Sequence, residues 1–155
     1  SAASDVYKRQ DDQAMDVKKF VERFRKGKLS LMVVQGGSVV YSSRDGGLSP
    51  LIDAIDSGKD CLRDALVIDR VVGRAAALLI CYGKSRHVFA DLMSETALQV
   101  LNAYGLRYEY ERLVPRILKE DSRSLCPFEM LVEDVSDPEE GYRLVSKKVR
   151  AARSG

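Results

Sequence analysis

Three short stretches carry the side chains with chemical potential. In "DRVVGRAAALLI", Asp69 to Ile80, Arg70 and Arg74 lie four residues apart and flank Gly73 at the head of an alanine- and leucine-rich run. With Asp69 as N-cap, the run predicts a helix ending at Gly83, and Arg70 and Arg74 share one of its faces. The unpaired N–H groups and positive dipole end of such a helix favour an anion. Guanidinium groups add planar donors, and a glycine lets a bound group approach the backbone. The chemistry on offer is recognition of a phosphate or carboxylate. The structural alternative is that Asp69 caps, Arg70 is solvated, Gly73 permits close packing and Arg74 pairs with an acidic neighbour.

The second stretch, "SETALQVL", offers Ser94 as an N-cap and Glu95 in the first turn. Glu95 complements the dipole there or, if it faces a pocket, acts as a base or accepts a hydrogen bond from a ligand. "SSRDGG" adds Arg44 beside Gly46 and Gly47, which reads as a tight turn or as a ligand-touching loop. In the third stretch, "CPFE", Pro127 puts Cys126 at an N-cap position, where the dipole stabilises a thiolate. Glu129 stands close enough to oppose that by charge or to cap a backbone N–H. Cysteine is also simply a small residue that buries well. The candidate catalytic groups are therefore Cys126 and Glu95. Any Cys–His pair would have to form with His87 across the fold, and Cys61 and Cys81 read as inert.

The elements that would position these groups follow from pattern. Val17, Phe20, Val21 and Phe24 recur at helical spacing, giving a helix over residues 15–26. "LSLMVV" and "SVVYSS", joined by "QGG", predict a β-hairpin with Gly36 and Gly37 in the turn. "SPLIDAIDSG" is a short helix with Pro50 at its first position. "HVFADLM" and "LRYEYERLV" read as strands, and "SLCPFEMLVEDV" and "SDPEEGYRLVSKKVRAAR" as helices opened by prolines. A hairpin followed by alternating helices and strands implies a mixed sheet between helices, a three-layer α/β/α class. Val72, Ala76, Leu79 and Ile80 are the expected core of the central helix.

This order is similar to the cytidine deaminase-like fold. From Phe20 to Val149 the chain also resembles one uncharacterised bacterial and archaeal domain-of-unknown-function family of that superfamily. "DRVVGRAAALL", "VFADLMSETALQVLNAYG", "RLVP", "CPFEMLV" and "DPEEGY" carry the likeness. The resemblance implies that the helices starting near Asp69 and Ser94 point at a common pocket, which makes Asp69, Arg70, Gly73, Arg74 and Ser94 candidate ligand contacts beside Arg44 and Gly47 of the turn. It also implies frequent assembly into oligomers, with the Phe20 and Phe24 helix as a candidate interface. Deaminases of this superfamily hold zinc with a His or Cys at one helix start and a Pro-Cys-x-x-Cys at the next. Here neither "DRVVGR" nor "SETAL" contains a His or Cys, and "CP" at Cys126 is reversed. No zinc, no other cofactor and no zinc-dependent deamination are expected.

Bulk properties set outer limits. A chain of 155 residues, 45% hydrophobic, suits one domain, expected over residues 15–150. The opening "SAASDVYKRQ" resembles a translated sequencing adapter, so residues 1–14 are expected to be artefactual or disordered, with Met15 as the natural start. The net charge is +2, and "YGLRYEYE" spaces its tyrosines as an ordinary strand does, so neither nucleic acid nor membrane is an expected partner. Three scattered cysteines suit a reducing cytoplasm. Three functions remain: a zinc-free binder of a small anion such as a nucleotide, a metal-independent enzyme using Cys126 or Glu95, and an oligomeric interaction module without a ligand.

Overall fold

Leu66–Val72, with the sequence LVIDRVV, is a β-strand in the computed structural model, which describes residues 17–154. This corrects the expected helix start at Asp69. Four β-branched residues in seven favour an extended chain, and the strand takes the central place in the sheet. Gly73 breaks it, and the helix starts five residues late, at Arg74. The expectations for residues 1–14 and for Met15 lie outside the described residues.

The chain is helical over residues 17–26 (α1) and then enters the hairpin β1 (Leu31–Gln35) and β2 (Ser38–Ser43). Gly36 and Gly37 both hold positive φ, 59° and 81°, as the tight turn demands. There follow α2 (Ser49–Asp56), β3 (Leu66–Val72), α3 (Arg74–Tyr82), β4 (His87–Ser94), α4 (Glu95–Ala103), β5 (Arg107–Val114), α5 (Pro127–Leu131) and α6 (Pro138–Ser154). The strands form one mixed sheet in the order β2-β1-β3-β4-β5. β1 is antiparallel to both its neighbours, while β3, β4 and β5 run parallel.

Alternation along the strands divides the core between the two faces of the sheet. Met32, Val34, Leu66, Ile68 and Phe89 meet Phe20, Val21 and Phe24 of α1. Leu31, Val33, Val67, Val88 and Ala90 face the other helices. Phe20 and Phe24, the candidate oligomer contacts, are thus buried within their own chain. On the larger side α3 is buried along nearly its whole length, with Ala76, Leu79 and Ile80 at 2% exposure or less. α6 crosses it at Gly141, where a β-carbon would come within 2.9 Å of Leu78. The expected helix "SLCPFEMLVEDV" shortens to Pro127–Leu131, because the carbonyls of Val132 and Val135 turn away to meet Arg74.

Candidate functional site

A cavity of about 310 Å³ opens where β3 hands over to α3. Its walls come from the loop before α2 (Gly46, Gly47, Leu48), the end of β3 (Asp69 to Val71), the start of α3 (Gly73, Ala75, Ala76), and Ile117, Cys126, Phe128 and Glu129. The helix starts that share it are therefore those of α2, α3 and α5, rather than those of α3 and α4 as expected. The starts of α3 and α4 do approach each other, across a smaller hollow of about 190 Å³ lined by Arg74, Thr96, Gln99 and Glu129.

The N-terminus of α3 already holds an anion, and it is internal. Gly73, the N-cap, has no side chain to offer. The Glu129 carboxylate arrives from 55 residues away and accepts from the Arg74 N–H at 2.7 Å, and its second oxygen from the Ala75 N–H at 2.9 Å. A β-carbon at Gly73 would collide with that carboxylate and come within 2.8 Å of Ile117. Gly73 thus does serve close approach of an anion to the backbone, but the anion is Glu129. Burial pushes the Glu129 carboxyl upward; the two N–H groups and the Arg74 charge pull it back in part.

Both arginines are committed elsewhere. Arg74 is 9% exposed. Its guanidinium donates to the carbonyls of Val132 and Val135, to Ser136 Oγ, to Gln99 Oε1 and to the Thr96 carbonyl, at 2.7–3.4 Å. It ties α3 to α4 and to the turn before α6. Arg70, on a strand rather than a helix, points back and donates to the carbonyls of Leu29 (3.0 Å) and Lys28 (2.9 Å). Arg44 does the same to the Gly27 carbonyl at 2.9 Å. These two close the carboxyl end of α1, where partial negative charge accumulates. Ser94 is fully buried and caps α4, accepting from the Ala97 N–H at 3.0 Å. Glu95 is exposed and lines neither hollow.

Of the residues singled out from sequence, the cavity brings together Gly47, Asp69, Arg70, Gly73 and Cys126; Arg44, Arg74, Ser94 and Glu95 lie outside it. Asp69 gains most in interest. Desolvation pushes its carboxyl up to about 7, and the backbone N–H groups of Val71 and Arg70 and the Arg70 charge offset only part of this. An acid poised near neutrality in a largely apolar cavity can accept a hydrogen bond, pair with a cation or move a proton. Half-buried Cys126 shares the same space. Ser30, Ile117, Phe128 and Glu129 complete the lining and were not singled out as ligand contacts. Only Glu129 carried a signal, as an acidic residue three positions after an N-cap, a pattern that ordinarily points to its own helix.

The donor set does not fit a deaminase zinc. The cavity offers one thiol, no imidazole and two carboxyls, one of which is spent on α3. Among the described residues, no three His, Cys, Asp or Glu side chains stand together as a metal-ligand set. No described helix is long and apolar enough to cross a membrane.

A sequence profile of the family described as a domain of unknown function, DUF1893, matches residues 19–149. A crystal structure of a DUF1893 family protein from Thermotoga maritima is similar at a TM-score of 0.79 and 37% identity, covering 85% of this chain and 88% of that one. A Thermotoga maritima diaminohydroxyphosphoribosylaminopyrimidine deaminase/5-amino-6-(5-phosphoribosylamino)uracil reductase aligns at a TM-score of 0.43 and 15% identity, over 67% of this chain and 34% of that one. No curated protein matches.

Proposed function

The chain belongs to the DUF1893 family, and from the geometry of its cavity we propose that it is a binding protein for a compact, largely apolar molecule that presents hydrogen-bond donors to Asp69. The observation that carries this reading is Asp69 itself, a carboxyl held near neutrality on the wall of a cavity of about 310 Å³. At a water's share of about 30 Å³ per heavy atom, that space takes about ten non-hydrogen atoms, the size of a small heterocycle. An amine, amidine or ring N–H complements the carboxyl, and Phe128, Ile117 and Val71 supply apolar contact.

We prefer this ligand to the anion expected from sequence. Arg70 turns its Nε and Nη2 to carbonyls at the end of α1, Arg74 lies outside the cavity, and Glu129 already occupies the start of α3. What remains free to meet a ligand on the cavity wall is the Asp69 carboxyl. From the order of its elements we read the fold as deaminase-like and working without zinc.

The test is a thermal-shift and calorimetry panel on the full chain, with aminopyrimidines, amidines and sugar phosphates as probes. A donor-bearing heterocycle should raise the melting point, and Asp69→Asn should weaken its binding about tenfold or more. Gly46→Trp should block the mouth without strain, since no atom lies within 4 Å of a β-carbon there. Sugar phosphates binding in preference, with Asp69→Asn neutral, would sink the proposal.

A second reading, a metal-independent enzyme, rests on one observation: Cys126 lines the same cavity as Asp69, whose carboxyl desolvation pushes up to about 7. Its signature would be alkylation of Cys126 whose rate follows the ionisation of Asp69. A rate unchanged by Asp69→Asn would remove it.

A further inference from the structure

The parallel strands begin at the end of the sheet opposite the cavity. There, Leu66, His87 and Arg107 stand at the first positions of β3, β4 and β5, beside the Gly36–Gly37 turn. A separate hollow of about 120 Å³ sits among them, lined by Gly36, Gly37, Asp64, Arg86, His87 and Arg107, with Val17 and Phe20 as its apolar side. Two features set it apart from an ordinary charged rim. Among the described residues, the guanidinium groups of Arg86 and Arg107 make no hydrogen bond or ion pair, unlike Arg44, Arg70 and Arg74. His87 is 8% exposed, and its Nε2 is buried without a hydrogen-bond partner. Glu109 lies 3.4 Å from that atom, close enough to pair with the ring once it is protonated, but makes no hydrogen bond to it. A buried polar atom left without a partner is costly, and it marks a place where a further group belongs.

We propose that this hollow is a second ligand site, for a compact oxyanion of phosphate type held between Arg86, Arg107 and His87. The volume suits one phosphoryl group. Planar guanidinium forks match tetrahedral oxyanions. The charged groups facing the ring are Arg86, Arg107, Glu109 and Asp64; α1 brings only Val17 and Phe20. The two arginines bring two positive charges, which Asp64 on the rim and Glu109 beside the ring offset. Protonation of His87 adds a positive charge, so binding tightens as the pH falls. Burial holds the imidazole below its ordinary value, and Glu109 offsets this in part.

The experiment is calorimetric titration of the full chain with inorganic phosphate at pH 7 and fixed ionic strength. One saturable site in the millimolar range is expected. The double variant Arg86→Gln/Arg107→Gln should bind about a hundredfold more weakly, about tenfold for each charge-assisted contact. Both side chains are exposed and unbonded, so the variant should melt with the parent in chloride. Sulfate, whose charge does not change over this range, should bind more tightly at pH 6 than at pH 8, and His87→Gln should abolish that difference. Glycerol phosphate binding as well as phosphate supports a phosphoryl group carried by a larger molecule; phosphate alone supports the free ion. Asp69→Asn and Gly46→Trp should leave the titration unchanged, which separates this site from the cavity at the other end. No saturable heat with phosphate, or equal affinity in the double variant, overturns the proposal.

Discussion

Glu129 and Asp69 are carboxyls on two walls of one cavity, and burial raises both, yet they are bound to different work. Glu129 spends both oxygens on the N–H groups of Arg74 and Ala75, so its charge is part of the architecture. Asp69 meets only the N–H groups of Val71 and Arg70 on its own strand, which offset its desolvation in part, and its carboxyl moves up to about 7. A buried acid with a full set of partners holds the chain together. A half-buried acid whose partners offset only part of its desolvation costs stability, and is where a ligand is most useful.

The sharpest way to break this contrast is on the Glu129 side. Arg74→Met should destabilise by about 3–5 kcal/mol in urea unfolding, because it strips donors from the Val132 and Val135 carbonyls and leaves Glu129 without its cation. A loss under about 1 kcal/mol would mean that those carbonyls find other partners. Glu129→Gln keeps the shape but turns an N–H donor toward the helix start, and about 2 kcal/mol of loss is expected.

Asp69→Asn should act in the opposite direction. The folded pKa, about 7, lies above the unfolded value, so the folded state holds the extra proton between about pH 4 and 7. The wild type is therefore most favoured below pH 4 and loses stability as pH rises through 7. The asparagine variant should match it at low pH and exceed it by about 1–3 kcal/mol at pH 8, after allowance for the opening to solvent. A difference that does not vary with pH would show that Asp69 is not held near neutrality. The smallest effect belongs to Arg70→Gln and Arg44→Gln, whose exposed bonds to the end of α1 should contribute about 1 kcal/mol or less each.

How much of this was legible depended on the range over which each signal acts. The Gly36–Gly37 hairpin, the Ser94 cap and the Gly83 stop are local, and their residues announce them. "LVIDRVVGRAAALL" misleads because a buried parallel strand and a buried helix are both continuous apolar runs, and Gly73 at their junction reads as easily as a residue inside a helix. The misplaced boundary then put Arg70 on a helix with Arg74. The site was the least legible part. That Arg74 faces Val135, and that Glu129 rather than a ligand fills the anion position, depend on contacts across 55 residues or more.

The reach of Glu129 also sets a clock. On the ribosome the chain emits α3 some 55 residues before the carboxylate that completes its first turn. At about 5–20 residues per second that gap lasts roughly 3–11 seconds. Until it closes, the Arg74 and Ala75 N–H groups have only water to bond, and the Arg74 side chain waits for carbonyls not yet synthesised. The central helix of the sheet's larger face is therefore made midway through synthesis but finished only when α5 emerges, so a nascent chain halted before Glu129 would carry a frayed helix at its centre.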